Sequence, residues 1–185
     1  MTFLPKGYKV PEGSSNYFRF EEGENRFRVL GDLILGTEYW ITDPKDKTKR
    51  IPQRVEQGVD ISVDKLEENP KTGEVDIPKH FWAIVVWNVD AEKIQILEIT
   101  QKSIQRSITA MSNSKDWGDP VEYDILVTRE GKGLETTYTV TPCPKKKLDP
   151  GIVQLYKDMQ IDVKALFKGE DPFQSTTKRA EPKYD

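Results

Sequence analysis

Aromatic and cationic side chains are the residues of this sequence whose chemistry could form a binding site. Large rings lie in or beside extended stretches, and lysines and arginines follow closely along the chain. Flat rings stack on other flat rings, and cations pair with anionic groups such as phosphates. The aromatic candidates are Tyr39, Trp40, Phe81, Trp82, Trp87, Tyr123 and Tyr138.

The cationic candidates fall into three stretches. Arg26 and Arg28 alternate with Phe27 and Val29, which predicts a strand with the arginines facing outwards. The alternative is that both are surface arginines paired with neighbouring glutamates. The remaining cations lie in loops that would frame a cleft, and these are Lys49, Arg50, Arg54, Arg129 and Lys132.

Catalytic patterns are missing from the sequence. It contains no HExxH, GxSxG, Walker, GxGxxG or two-metal acidic motif. His80, beside Phe81 and Trp82, is interpreted as a packed residue at a strand end. One cysteine, Cys143, and one histidine provide neither an internal disulfide nor a zinc ligand set. We therefore expect a protein that is not an enzyme and needs no cofactor or metal.

The length and net charge of the chain exclude further classes of protein. A chain of 185 residues fits one domain with extensions, and its net charge of −3 argues against a uniformly positive surface. Any nucleic-acid site must then be local. No apolar stretch reaches membrane-spanning length, and the start MTFLPKGYKV has no signal-like apolar region. We expect a cytoplasmic protein without a membrane partner.

Periodicity predicts the elements that would position these side chains. One long strand covers residues 24–42, with a bend near Gly31 to Gly36. Two hairpins are expected, at 80–89 with 93–99 and at 123–130 with 134–141. Between them an amphipathic helix covers 100–111, with Thr100 as its N-cap, and a further helix covers 151–159.

This order predicts a mainly β fold, a five-stranded OB-like barrel with one helix between strands 3 and 4. Other small barrels and α+β sandwiches share the order. We divide the chain into an irregular arm (1–23), the barrel domain (24–142), and a basic linker with a short helix and a polar tail (143–185). A charged loop without regular strands is expected at 43–79, between strands 1 and 2, with one helical turn near 63–68.

Four segments together carry a resemblance to a known family. They are GYKVPEGSSNYFRFEEGENRFRVLGDLILGTEYW, KHFWAIVVWNVDAEKIQILEITQKSIQRSITAM, WGDPVEYDILVTREGKGLETTYTV and the proline-flanked exit up to about residue 144. The combination resembles the phage single-stranded-DNA-binding proteins with OB cores, distantly similar to the T4-type helix-destabilising protein. The final stretch KGEDPFQSTTKRAEPKYD lacks the strongly acidic tail of those relatives, and the T4-type zinc ligands are also missing.

The resemblance implies a protein that binds and protects single-stranded DNA, without strong sequence preference, during phage DNA replication, recombination and repair. It implies the host cell cytoplasm as location and phage replication or recombination proteins as further partners. The alternative is an OB-like protein-interaction or structural phage module that does not bind nucleic acid.

A site for an unpaired strand needs rings for bases and cations for phosphates. In the second predicted strand both faces are apolar, so the alternation leaves open whether Trp82 or Trp87 is core; Trp40 and Trp87 lie nearest to loops. The predicted DNA-binding residues are Arg26, Arg28, Tyr39, Trp40, Lys49, Arg50, Arg54, Trp82, Trp87, Arg129, Lys132 and Tyr138.

Overall fold

The computed structural model describes residues 15–173, so residues 1–14 of the predicted arm and 174–185 of the predicted tail lie outside it. The fold is mainly β. Its strands are β1 (Tyr17–Phe18), β2 (Gly23–Thr42), β3 (Arg50–Glu56), β4 (Lys79–Asn88), β5 (Lys93–Ile99), β6 (Asp124–Glu130) and β7 (Thr137–Pro142). The α-helices are α1 (Lys102–Ser112) and α2 (Pro150–Met159), with short 3₁₀ helices at Val63–Lys65, Pro120–Glu122, Gly133–Glu135 and Val163–Lys168. None of the helices in residues 15–173 is long and apolar enough to cross a membrane.

The long strand β2 is the centre of the sheet. One of its edges pairs antiparallel with β4, from Phe27 opposite Asn88 to Glu38 opposite Lys79. Its other edge pairs with β6 over residues 23–28 and with β3 over residues 36–42. The register with β4 shifts between Val29 and Leu33, which confirms the predicted bend.

The sheet does not close into a barrel. Its order is β1-β5-β4-β2-β6-β7, with β3 attached to β2, and within residues 15–173 no ladder joins β1 to β7. The predicted closed barrel of five strands is therefore not what the structure shows. Side chains connect the two ends instead: the Phe20 ring packs edge-on against Tyr138 at 5.8 Å, and Arg129 Nη1 donates to the carbonyl oxygen of Phe20 at 2.8 Å.

The predicted charged loop contains a strand. β3 lies inside residues 43–79 and pairs with β2, with Pro52 opposite Trp40. Proline lacks a backbone N–H and is confined largely to edge strands, which β3 is, since its only ladder in residues 15–173 is with β2. Pro52 and the surrounding charges make this stretch resemble a loop, and they hide the strand from sequence analysis.

Helix α1 fills one side of the sheet. Its buried residues Ile104, Ile108 and Met111 share a core with Phe27 and Tyr123, among others. The helix begins at Lys102, with Gln101 as N-cap and no side-chain capping bond, so the predicted cap at Thr100 is wrong. The spacing of the apolar residues thus predicted the helix but not the residue at which it begins.

The chain after α2 covers the opposite face of β4 and β5. Leu166 and Phe173 are buried against Phe81, Ala83 and Val85, and part of α2 packs against the same cluster. The other face of β4 belongs to the α1 core. Both alternating sets of β4 are thus core, which explains why the sequence did not distinguish an inner face from an outer one.

Arg28 is a buried structural cation, and the expectation that it faces solvent is wrong. Only 2% of its side chain is exposed; Nε donates to Asp124 Oδ1 at 2.7 Å, and Nη1 donates to the carbonyl oxygen of Lys146 at 2.8 Å. Strand alternation does put it opposite Phe27. That face, however, is covered by the residues around Val121 and Lys146, whose carbonyl oxygens accept from the guanidinium.

Replacing Arg28 should cost far more stability than replacing Arg26, although both bind Asp124. Arg26 is 43% exposed and contacts Asp124 Oδ2 at 2.9 Å. We expect Arg28→Gln to lower the free energy of unfolding by about 3–5 kcal/mol because Asp124 Oδ1 and the carbonyl oxygens of Val121 and Lys146 would lose their buried charged donor. Arg26→Gln should cost no more than about 1 kcal/mol. Urea denaturation of both variants measures the difference, and equal losses would contradict the structural role of Arg28.

Gly36 lies where β2, β3, β4 and the 3₁₀ helix Val163–Lys168 come together. A Cβ there would overlap the carbonyl oxygen of Val55 and the ring of Phe81, and it would lie 2.9 Å from Phe167 Cε1. At Gly31, a Cβ would overlap the hydroxyl end of Tyr156. The obstacle at Gly36 includes the backbone of Val55, which is fixed, whereas the obstacle at Gly31 is the end of the Tyr156 side chain.

Gly36→Ala should therefore destabilise the protein more than Gly31→Ala. We expect a loss of about 1–3 kcal/mol for Gly36→Ala, since neither Val55 nor Phe81 can withdraw. For Gly31→Ala the Tyr156 ring can shift, and the loss should stay within about 1 kcal/mol. Denaturant midpoints of the two variants test this, and the reverse order would show that the packing around Gly36 is not rigid.

Candidate functional site

A groove of about 440 Å³ opens beside the N-terminal segment 17–20. Its other walls come from β2 and β3 at Glu38, Trp40 and Arg54, from the region of Glu98 and Gln101, and from β7 at Tyr138. The groove is positioned by the pairing of β1 with β5, which sets Tyr17 opposite Ile96. It thus borders the opening that the sheet leaves between β1 and β7.

Aromatic side chains form much of the groove walls. Trp40 is 40% exposed, and Tyr17, Phe20 and Tyr138 are each half-buried at the groove. Phe20 packs edge-on against Phe18 at 5.4 Å and against Tyr138 at 5.8 Å. These contacts hold the Phe20 and Tyr138 rings in place while leaving part of each accessible.

Arg54 is the central cation of the groove, and two carboxylates hold it. Its Nε lies 3.1 Å from Glu38 Oε2 and its Nη2 lies 2.8 Å from Glu98 Oε2. The guanidinium carbon lies 5.8 Å from the centroid of the Phe81 ring, a cation–π contact. With only 14% of its side chain exposed, Arg54 is both a structural cation and part of the groove wall.

Glu98 is the titratable group most affected by this arrangement. Burial raises its pKa, the charge of Arg54 acts in the opposite direction, and the charge of Glu38 raises it further. Its Oε1 is buried without a hydrogen-bond partner among residues 15–173. Burial, followed by the charge of Glu98, also raises the pKa of Tyr17. For both side chains, burial is the main cause of the raised pKa.

Arg19 adds a second cation at the groove. Its side chain is exposed, and it forms no ion pair with any residue that the structure describes. With Arg19 and Arg54 against Glu38 and Glu98, the charged groups of the walls balance. The arrangement favours a ligand that offers flat rings, and Arg19 can pair with an anionic group of that ligand.

Several predicted aromatic site residues are packed in the interior. Tyr39 and Trp82 are only 8% and 9% exposed, and Trp82 Nε1 donates to His80 Nε2 at 3.2 Å. Trp87 packs partly buried against the cluster that the C-terminal segment covers. Tyr39 and Trp82 are therefore core residues and Trp87 is partly buried, because β4 and the adjacent part of β2 are covered on both faces.

The predicted cations are mostly occupied by acidic or carbonyl partners. Lys49 Nζ lies 3.2 Å from Asp46, and Arg50 Nη1 lies 2.7 Å from Asp76. Arg26 and Arg28 share Asp124. Lys132 is exposed in the turn between β6 and β7. Of the predicted set, the groove brings together Trp40, Arg54 and Tyr138.

Sequence reasoning missed the segment 17–20. Tyr17, Arg19 and Phe20 line the groove, yet they fall in the stretch interpreted as an irregular arm. The run NYFRF alternates rings with a cation and is a usable signal. It was hidden by the density of glycine, proline and serine just before it.

Comparisons with known proteins identify a distant phage relative. No family model and no solved structure matches this chain. Over 155 residues it is 20% identical to the probable ssDNA-binding protein of Escherichia phage T5. The match covers 74% of this chain and 60% of the phage protein, so the chain spans about three fifths of that relative's length.

Proposed function

We propose that this chain is a phage protein that binds single-stranded DNA in the groove, without strong sequence preference and without catalysis. The observation that carries the proposal is the convergence of four rings, Tyr17, Phe20, Trp40 and Tyr138, with Arg19 and Arg54. The similarity to a probable ssDNA-binding protein of phage T5 supports the same ligand.

The balanced charge of the groove favours stacking as its main source of affinity. Every base has a flat face, so aromatic platforms bind single strands with little regard to sequence. Each stacked base contributes about 1–3 kcal/mol by alanine substitution. A duplex hides these faces, and the proposed site should therefore prefer unpaired DNA.

The order of elements supports a relation to the OB fold. β2, β4 and β5 are followed by α1 and then by β6 and β7, which is the OB order with its helix between the third and fourth strands. β1 and β3 are additions to it. By this relation we further propose roles in phage DNA replication, recombination and repair, in which single strands are exposed.

Trp40 should carry a large share of the binding and most of its fluorescence signal. Its ring is exposed at the groove, whereas Trp82, Trp87 and Trp117 pack against the described cores. We expect Trp40→Ala to weaken binding of poly(dT) by about 5- to 100-fold because one base is no longer stacked. Trp40→Phe should retain most of the affinity but lose most of the quenching. Titration with poly(dT) and then with duplex measures both effects.

Trp117→Phe is the matched control for this titration. Trp117 packs against Tyr123 at 5.5 Å, away from the groove, and its replacement should leave the quenching intact. If wild-type protein responds to neither polymer, the proposed function is wrong. If it responds and Trp40→Ala binds equally well, the groove is not the site.

Removing the charge of Glu98 should strengthen binding. Glu98→Gln keeps an oxygen that can accept from Arg54 while making the groove more positive by one charge. We expect affinity for poly(dT) to rise about twofold to fivefold at neutral pH, in line with surface electrostatics of ~0.5–1 kcal/mol. Glu56→Gln, at the exposed end of β3 outside the groove, removes the same charge and should change affinity less.

The difference in affinity between the wild type and Glu98→Gln should become smaller as the pH falls. Because burial raises the pKa of Glu98 above its unfolded value, the folded state takes up the proton first as pH falls. The wild type should thus gain affinity on acidification and approach Glu98→Gln. Its stability penalty from the buried carboxylate is present at neutral pH and diminishes as pH falls through the folded pKa. A gap between the two proteins that widens on acidification would contradict this assignment.

A further inference from the structure

A second cavity also has Trp40 in its wall. It measures about 660 Å³ and shares Glu38 and Trp40 with the groove. Its remaining walls come from Thr48, Arg50, Lys79 and a segment of residues 69–77. Because Trp40 lines both spaces, the two cavities are adjacent.

The far wall of this cavity is a segment fixed to the sheet, which we call the flap (residues 66–78). The Glu67 carboxylate accepts from the backbone N–H and the hydroxyl of Thr42, both at 2.7 Å, and these bonds lower its pKa. Asp76 lies 2.7 Å from Arg50. Within the flap, Glu68 pairs with Val75. The second cavity, which we call the flap cavity, is therefore built by defined contacts.

Cations of the flap cavity retain capacity for an anionic ligand. Lys71 and Lys79 are exposed and form no ion pair with the residues described. Arg50 donates through Nη2 to the carbonyl oxygen of Trp40 at 2.6 Å, but its Nε is buried with no hydrogen-bond partner in residues 15–173. Because that Nε has almost no accessible surface, the exposed Lys71 and Lys79 are the cations that a ligand can reach. Glu74 is the wall's acidic group outside the Arg50–Asp76 and Arg54–Glu38 pairs.

We infer that the bound DNA strand continues from the groove past Trp40 into the flap cavity, where Lys71 and Lys79 bind its phosphates and the fixed Arg50 forms part of the wall. This inference rests on the proposed function. It makes Trp40 an internal platform, with DNA on both sides of it along the strand. It also separates the site into a part formed mainly by rings, the groove, and a part with two exposed lysines free of ion pairs to residues 15–173, the flap cavity.

The test compares oligonucleotides of two lengths. A strand of about 6 thymidines fits a minimal OB-type site, whereas one of about 15 can occupy both cavities. We expect Lys71→Ala with Lys79→Ala to weaken the long strand roughly tenfold at low salt and the short strand less than about twofold. The slope of log affinity against log salt should fall by about 0.7 for each phosphate that the variant no longer binds, and only for the long strand.

The control is Lys45→Ala with Lys47→Ala, which removes two exposed lysines of the connection between β2 and β3, outside the cavity. Equal losses of affinity for this control and for the Lys71 and Lys79 variant, or losses independent of strand length, would overturn the inference while leaving the groove as a binding site. Absence of binding by the wild type to either length would overturn the proposed function as well. Thermal melting of each variant shows that all compared proteins are folded.

Discussion

The backbone of β2 carries the hydrogen bonds on which the rest of the structure depends. Its 20 residues pair with β4 along one edge and with β6 and β3 in turn along the other. The bend between Val29 and Leu33 lets the two halves serve different neighbours. The N-terminal half carries Arg28 with its buried ion pair, and the C-terminal half carries Glu38 and Trp40, which line the groove. A substitution that alters the bend would therefore affect both the buried ion pair and the groove.

The groove combines accessible rings with a cation whose charge is already compensated. Arg54 is fixed by Glu38 and Glu98, so it orients the wall more than it attracts anions from a distance. This arrangement is compatible with an overall charge of −3. Long-range attraction would have to come from less constrained cations, such as Arg19 and the lysines of the flap cavity.

Sequence patterns predicted the elements whose apolar periodicity is strong. The hairpin of β4 and β5, helix α1 and the bend in β2 follow from it, and Trp40 and Tyr138 were recognised as candidate rings. The sequence analysis did not predict β3 because Pro52 and the charged residues around it are typical of a loop. Arg28 was misplaced, and the position of Trp82 was left open, because alternation reports which residues share a face, not whether another part of the chain covers that face. The pairing of β1 with β5 joins residues distant in sequence, and no local pattern encodes it.

The C-terminal covering of β4 and β5 affects how the chain folds during its synthesis. Leu166 and Phe173 come late, yet they bury Phe81, Ala83 and Val85 of a hairpin that emerges much earlier. Until Leu166 and Phe173 have left the ribosome, the face of β4 that they cover remains exposed to solvent. Such surfaces bind each other and chaperones. Slow translation of the last part of the chain would thus lengthen the interval in which nascent copies aggregate.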